Sequence, residues 1–368
     1  MMQLELRNIS KIVGQDVHIA DVSLTFQSGT LNILLGPTLS GKTTLMRLMA
    51  GLEKPTAGKL FVDGRDVTGV AVQKRNTAMV YQQFINYPNL TVYDNIASPL
   101  KIAKVPRAEI ETRVEEIASL LKLNDMLKRM PQELSGGQQQ RTALARALVK
   151  GADLVLLDEP LANLDYKLRE ELREELPKIF SATGAIFVYA TTEPMEALLL
   201  GGNTAALHEG RVYQFGPTLD VFHKPDNLTT AQTFADPPLN TLPVTKLNNR
   251  MLFKSHVEVP LSGKLPQLPD ADYTIGFRPN HLYLAPTSPK AISVKAKVVV
   301  TEITGSDSYI HIDVAGLRWV VLAHSIQSFD VEETIEVFLD PDKFYVFDDS
   351  EKLVATPLHI SAAGGENK

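Results

Sequence analysis

The chain has 368 residues, of which 44% are hydrophobic and 22% charged, a composition typical of a soluble globular protein with about two domains. Its formal net charge of −6 argues against a nucleic-acid-binding protein, and the absence of cysteine excludes disulfides and thiolate metal sites. No secretory signal pattern opens the chain, and no apolar run approaches the roughly 18 residues of a membrane span. We therefore expect a cytosolic chain that reaches any membrane through a partner.

Residues 1–235 alternate short apolar runs with helical patterns, which predicts an α/β domain. The predicted strands are 31–35, 59–62, 77–81, 153–157, 185–190 and 203–207. The predicted helices are 107–122, 137–149 and 168–176. In the last of these, LREELREEL, Glu and Arg recur three to four residues apart, which predicts a solvent-exposed helix face.

The stretch ADPPLNTLPV, around residues 235–245, contains three prolines and predicts a domain boundary. Short β-rich runs separated by Gly, Asp, Pro and Ser follow it, which predicts a small β-barrel or sandwich over 241–357. The runs are 273–277, 293–300, 309–314, 319–323, 334–339 and 343–347. We expect residues 358–368 to be a disordered tail.

The segment LLGPTLSGKTTL contains the pattern G-x-x-x-x-G-K-[ST] between a predicted strand and a predicted helix, which indicates a phosphate-binding loop. Its glycines let backbone amides surround a phosphate, and the helix start favours negative charge. We expect Lys42 at the β- and γ-phosphates, Thr43 on Mg²⁺ and Thr44 at the α-phosphate, with ATP as the nucleotide. The expected nucleotide-binding residues here are Gly36, Pro37, Thr38, Ser40, Gly41, Lys42, Thr43 and Thr44.

A second motif, DLVLLDEP, ends an apolar strand in two acidic residues. We expect Asp158 to hold the Mg²⁺ shell and Glu159 to be the general base that orients and deprotonates the attacking water. A strand that ends in Asp-Glu is weak evidence alone, and the phosphate-binding loop makes it strong.

The third motif, LSGGQQQR, comprises Ser135, Gly136, Gly137 and Gln138 and predicts a helix N-terminus that can bind an anion. The chain already has its own phosphate-binding loop. The most economical interpretation is that this N-terminus binds the γ-phosphate of ATP held by a second, facing subunit.

These motifs resemble the ATPase subunits of ATP-binding cassette (ABC) transporters, most closely those of sugar and glycerol-phosphate importers, over almost the whole chain. The resemblance places Gln82 at the γ-phosphate and Mg²⁺-sensing position and Asp165, in LANLD, at the dimer seam. It makes IGFRPNHLYL part of an OB-type regulatory (TOBE) barrel, and it implies a helical subdomain over about 88–150.

The resemblance also implies partners and a location. We expect a second ABC ATPase subunit, two transmembrane permease subunits and, indirectly, a periplasmic solute-binding protein, with this chain peripheral on the cytoplasmic side of the inner membrane. Three stretches, GPTLSGKTTLMRLMAGLEKPTAG, YATTEPMEALLLGGNTA and FADPPLNTL, resemble one of the paired ATPases of bacterial glycerol importers, which implies glycerol as cargo.

Two positions depart from the family pattern. Thr192 stands where the family has a switch histidine, and Val13 stands where an aromatic ring stacks on adenine. None of the eight histidines lies near Thr192 in the sequence: His18 is far upstream and His208 follows the next strand, and we expect both to be surface or turn residues. We therefore expect a degenerate ATP site in this chain, which would complete the site of a different ATPase subunit in a heterodimer.

Two alternatives to the heterodimeric importer ATPase stay open, and a third is disfavoured. The chain could form a homodimeric sugar or glycerol-3-phosphate importer ATPase with a non-standard switch residue, or be an ATP-binding regulatory subunit that does not hydrolyse. A soluble ABC ATPase acting on nucleic acid is disfavoured, because residues 241–368 hold 12 Lys/Arg against 16 Asp/Glu, a net charge of −4.

Overall fold

The computed structural model describes residues 2–83, 85–162, 166–248, 250–253, 257–259 and 265–358. Within the chain, two compact units divide between Leu219 and Asp220. The first unit has α/β architecture and the second consists mainly of antiparallel strands. The predicted disordered tail lies, except for Leu358, outside the described residues.

The first unit contains ten strands and six complete helices among its described residues. Its strands are β1 Gln3–Val13, β2 Asp16–Gln27, β3 Leu31–Leu35, β4 Ala57–Val62, β5 Arg65–Asp66, β6 Thr77–Val80, β7 Leu154–Asp158, β8 Ile186–Thr191, β9 Asn203–His208 and β10 Arg211–Pro217. Its helices are α1 Lys42–Ala50, α2 Val92–Ile102, α3 Arg107–Leu120, α4 Gly136–Val149, α5 Tyr166–Thr183 and α6 Pro194–Leu200.

The central sheet of this unit has the strand order β10-β9-β3-β8-β7-β6, in which all neighbours except β10 and β9 are parallel. Every residue of β7 and β8 is buried, as expected for parallel strands covered on both faces. An antiparallel sheet, β2-β1-β4-β5, shares one apolar core with α1 and the central strands. Because β3, β6, β7 and β8 run in parallel, the segments that follow them leave the sheet at the same edge.

Helices α2, α3 and α4 lie within the predicted range 88–150. The Asn95 side chain is fully buried in α2 and donates to the carbonyl oxygens of Tyr87, Leu90 and Thr91, at 3.0 to 3.1 Å. It therefore fixes the entry into this helical region. Of the described helices, none is both long enough and apolar enough to cross a membrane.

The second unit builds two antiparallel sheets with the orders β13-β12-β11-β14-β20-β21 and β15-β19-β16-β17-β18. Their apolar inner faces form one core around Trp319, whose Nε1 donates to the Thr241 carbonyl oxygen at 2.9 Å. The strands are β11 Asn240–Leu247, β12 Arg250–Phe253, β13 Val257–Val259, β14 Asp272–Phe277, β15 Leu282–Tyr283, β16 Ile292–Ile303, β17 Ser308–Val314, β18 Leu317–Ala323, β19 Thr334–Leu339, β20 Tyr345–Asp348 and β21 Leu353–Ala355.

The division at Leu219 comes earlier in the chain than the predicted boundary after residue 235. Two short helices precede the barrel, α7 Thr218–His223 and α8 Leu228–Thr233. Arg278 donates to the carbonyl oxygens of Phe222 and Phe234, at 3.1 and 3.2 Å, and stacks over the Phe222 ring. Residues 220–234 thus belong to the second unit, because a barrel arginine far along the chain holds them there.

Candidate active site

The phosphate loop, GPTLSG, joins the end of β3 to the start of α1. A Cβ atom on Gly36 would lie 2.2 Å from the Leu207 carbonyl oxygen, and one on Gly41, where φ is 99°, would lie 2.8 Å from Ile19 Cδ1. Leu39 also has a left-handed backbone, with φ of 67°, and its side chain is 95% exposed. Close backbone packing therefore fixes the loop, and a side chain at Gly36 or Gly41 would disrupt it.

The groups around this loop fit an anion. Gly41 is the N-cap of α1 and gives no side-chain cap, so the first amides of the helix are available to a ligand. Ser40 Oγ is buried and has no hydrogen-bond partner among the described residues. Lys42 Nζ donates to the carbonyl oxygens of Gly36 and Pro37, at 2.7 and 3.0 Å. A buried ammonium, an unpartnered hydroxyl and free helix amides are the donors that a phosphate requires.

Two carboxylates follow β7 and lie beside this lysine. Burial raises the pKa of Asp158, while a hydrogen bond from the Thr43 side chain and the Lys42 charge act in the opposite direction. Burial also raises the pKa of Glu159, opposed chiefly by Lys42, whose Nζ lies 3.9 Å from Glu159 Oε1. Burial lowers the pKa of Lys42, and both carboxylates oppose that shift. Lys42 therefore supports the charged forms of both carboxylates in a partly desolvated site, whereas the Asp158 charge raises the pKa of Glu159.

Glu159 has an unusual backbone and a fixed side chain. Its φ of 47° lies in the left-handed region, which non-glycine residues seldom adopt. Its amide donates to the Ala190 carbonyl oxygen at 3.0 Å, and Gln82 Nε2 donates to Glu159 Oε2 at 2.9 Å. Backbone strain of this kind persists where surrounding contacts determine the geometry, as they do at functional sites.

The donor set suits a magnesium ion that arrives with a nucleotide. Among the residues that the structure describes, no group of three or more His, Cys, Asp or Glu could hold a metal ion. The Thr43 hydroxyl donates to the Asp158 carboxylate, and Gln82 donates to the adjacent Glu159, so three residues with hard oxygen ligands come from neighbouring segments. Mg²⁺ prefers such oxygens and takes its remaining ligands from phosphate and water.

The switch position lies at the same edge of the sheet. The amide of Gly36 donates to the Thr191 carbonyl oxygen at 3.4 Å, so the strand that ends at Thr191 adjoins the phosphate loop. Thr192 follows in an exposed bend before α6. The strand, turn and helix predicted around Thr192 are therefore present.

The predicted adenine-contact position lies at the tip of the hairpin that joins β1 to β2. Val13 pairs with Asp16 there and is 48% exposed, and its neighbour Val17 is 56% exposed. The hairpin adjoins the phosphate loop, because a Cβ on Gly41 would lie 2.9 Å from the His18 carbonyl oxygen. The apolar surface at the tip can contact a base, but valine offers no ring for stacking.

The signature segment forms the N-terminus of α4. Ser135 is its N-cap, and the Gln138 amide donates to Ser135 Oγ at 3.4 Å while the Ser135 amide donates to Gln138 Oε1 at 3.0 Å. A Cβ on Gly136 would meet nothing within 4 Å. This capping box leaves an exposed helix N-terminus with open space in front of Gly136. Asp165 lies outside the described residues.

Sequence patterns gave no indication of how the segment after Gln82 is held. Asn86 Nδ2 donates to the Gln139 carbonyl oxygen at 2.8 Å, and Arg146 donates to the Ile85 carbonyl oxygen. Both partners belong to α4, so the segment that follows Gln82 is hydrogen-bonded to the signature helix. The pattern also missed Arg169 and Arg173 of α5, which contact the turn after Thr192 instead of facing solvent.

Comparison with known proteins identifies the family. The trehalose/maltose import ATP-binding protein MalK of Thermococcus litoralis is 36% identical, over 95% of this chain and 98% of that protein. The chain belongs to the ATP-binding subunits of ABC transporters. The family model for ABC transporters matches residues 19–162, and the TOBE domain model matches residues 275–347. This ABC subunit therefore has the predicted fold class, a P-loop domain followed by an OB-like TOBE barrel, and the predicted ATPase class is confirmed.

Two further comparisons agree with this assignment. The maltose/maltodextrin import ATP-binding protein MalK of Yersinia pestis is 34% identical, over 94% of this chain and 96% of that protein. A dimeric ATP-binding cassette solved in a post-hydrolysis state with ADP and Pi has a TM-score of 0.53 and 29% identity, over 58% of this chain and 98% of that cassette.

Proposed function

We propose that this ABC ATPase energises the import of a polyol or sugar, with glycerol as the best candidate cargo. Two similar proteins are named as importers of trehalose, maltose or maltodextrin, which supports a small polyhydroxylated solute. The three stretches that resemble glycerol-importer ATPases favour glycerol within that class. Uptake of labelled glycerol, trehalose and maltose by cells with and without this chain tests the choice, and loss of sugar uptake alone would contradict glycerol.

The proposed chemistry assigns a role to each group of the candidate active site. The phosphate loop cradles the phosphates of ATP, with Lys42 at the β- and γ-phosphates. Mg²⁺, when bound by Thr43, Asp158 and Gln82, supplies charge neutralisation between the phosphates. Glu159 orients the attacking water and accepts its proton, for which a carboxylate with a raised pKa is the better base.

The observation that carries the finer proposal is the combination of this complete phosphate site with Thr192 at the switch position. A threonine is shorter than a histidine, donates one hydroxyl hydrogen and carries no charge when phosphate leaves. Loss of one positioned donor of this kind typically lowers the rate by roughly 10²–10³-fold. Val13 further weakens the contact with adenine, by about 0.5–1.5 kcal/mol on the scale of aromatic pairs.

We propose that the working site is the one to which this chain contributes Ser135. The exposed N-terminus of α4 is intact and can bind the γ-phosphate of ATP on a facing subunit. The similar solved cassette is dimeric, which supports a paired arrangement. The partner is then a paralogous ATPase with its own switch histidine, and both act with two permease subunits and a solute-binding protein at the cytoplasmic face of the membrane. The second unit's surplus of acidic residues speaks against a nucleic-acid partner.

Co-purification of the transporter from its native cells tests this composition. We expect one copy of this chain, one copy of a second ATPase and the permease subunits. The alternative is a homodimeric importer, and recovery of a fully active complex with two copies of this chain as its only ATPase would contradict the heterodimer.

A further inference from the structure

A single arginine of α5 joins the two loops that carry the candidate general base and the switch residue. Arg169 Nη1 donates to Glu193 Oε1 at 3.1 Å, and Arg169 Nη2 donates to the Ala162 carbonyl oxygen at 3.3 Å. The Arg169 side chain is only 23% exposed. Glu193 lies directly after Thr192, and Ala162 lies in the loop that follows β7, so one guanidinium bridges both segments.

Each end of this bridge is fixed to catalytic candidates through the backbone. The Ala162 amide donates to the Glu159 carbonyl oxygen at 3.3 Å, which places Ala162 one turn from the general base. At the other end, the Glu193 amide donates to Thr191 Oγ1 at 3.0 Å, which closes the turn around Thr192. A displacement of either loop therefore changes the Arg169 contacts.

A second arginine of α5, Arg173, also binds the turn that contains Glu193. Arg173 Nη2 donates to Glu193 Oε2 at 2.9 Å and to Glu196 Oε1 at 3.3 Å. The Glu196 carboxylate is almost fully buried, and its Oε2 accepts hydrogen bonds from Tyr189 at 3.0 Å and Thr191 at 2.6 Å. The charged network continues from the turn to the buried residues of β8, although Arg173 Nε is buried without a hydrogen-bond partner among the described residues.

Stability alone does not account for the convergence on Glu193. Its side chain is 41% exposed, and ion pairs of partly exposed carboxylates contribute little to folding. Two arginines nevertheless hold its two oxygens separately, and the planar fork of Arg169 fits a bridging geometry. These contacts instead fix the position of the turn at Glu193 relative to Ala162, which lies in the loop after β7.

We infer that Arg169, acting through Glu193, is a positioning residue that fixes the switch turn relative to the loop of Glu159. The inference rests on the proposed function in one respect, that these two loops carry catalytic groups. Misplacement of a catalytic group by about 1 Å can lower a rate by roughly 100-fold, so a rigid bridge between the loops matters for turnover. It matters less for ATP binding, which the phosphate loop provides.

The test is turnover at this chain's own site, measured in a transporter whose other ATPase subunit has its general base replaced by Gln, with Glu193→Gln, Arg169→Gln and the double variant in this chain. We expect each single variant to lower kcat by about tenfold with an unchanged KM for ATP. The double variant should be no slower than either single one, because both changes break the same bridge. Arg169→Lys, which keeps the charge but loses the fork, should recover only part of the rate.

Glu170→Gln is the matched control, because Glu170 Oε1 accepts from Arg173 Nη1 at 2.5 Å and, among the described residues, Glu170 has no hydrogen bond to the turn. It should leave kcat unchanged, and all variants should keep the melting temperature of the parent. An unchanged kcat in Glu193→Gln, or additive losses in the double variant, would overturn the inference. Thr192→His tests the degenerate-site proposal separately. The positioning role of Arg169 and the degenerate site can therefore be contradicted independently of each other.

Discussion

The two halves of an ATP site that this chain carries differ in how far they keep the family pattern. In the phosphate-loop half, Lys42 and Glu159 lie side by side, but Thr192 and Val13 stand where the family resemblance implies a histidine and an aromatic ring. The signature half, built around Ser135, keeps the expected LSGGQ residues, and Ser135 caps α4. In the proposed heterodimer the two halves would serve different nucleotides, so a change at the switch position would affect one ATP site and not the other.

A histidine at the switch position should produce the largest change in ATP hydrolysis at the phosphate-loop half. Thr192→His should raise hydrolysis at this chain's own site by roughly 10²–10³-fold, because it returns one positioned donor to an intact turn. Turnover is measured in a transporter whose other ATPase subunit has its general base replaced by Gln. Thr192→Ser is the control and should change nothing, and an equal rise with serine would contradict a role for the imidazole.

Removing the buried cation should affect only the phosphate-loop half. Lys42→Met should weaken ATP binding by about 100-fold, since it removes the charge that faces the phosphates and leaves Glu159 and Asp158 unbalanced. Titration calorimetry with MgATP on the purified chain measures the change. Lys59→Met provides the matched control, because Lys59 is 64% exposed and pairs with Asp66 on β5. Equal losses in both variants would show that the effect is not local.

Restoring an aromatic ring should have the smallest effect. Val13→Trp should improve ATP affinity by about fivefold, which corresponds to about 1 kcal/mol of stacking on the base. Inorganic tripolyphosphate, which has no base, should bind both proteins equally well. A gain with tripolyphosphate as well would mean that the substitution acts on the phosphate loop and not on adenine.

The strands and helix starts that carry the candidate site residues could be predicted from the sequence because their determinants are local. The strand and glycine pattern around Gly36 and the acidic end of β7 each lie within a dozen residues, and parallel strands bring such ends to one edge. Five of the six strands of the central sheet were predicted within one residue for the same reason, whereas β10 was not predicted. By contrast, β1 and β2 were not predicted, although Leu4 and Leu6 alternate with polar residues.

Contacts between distant parts of the chain were beyond such patterns. LREELREEL was predicted to be a solvent-exposed face, and this was wrong for Arg173, which is 11% exposed. Its acceptors, Glu193 and Glu196, lie about two dozen residues further on, so a helical period cannot reveal them. The assignment of residues 220–234 to the second unit depends likewise on Arg278, which follows them at long range.

The central claim is that the working ATP site uses this chain's Ser135 and not its Glu159. The most direct measurement compares the ATPase rate of the full transporter with Glu159→Gln and with Ser135→Arg in this chain. We predict that Glu159→Gln retains at least about half of the rate, whereas Ser135→Arg lowers it about 100-fold by blocking the N-terminus of α4. A transporter that loses its activity with Glu159→Gln and keeps it with Ser135→Arg would contradict the account.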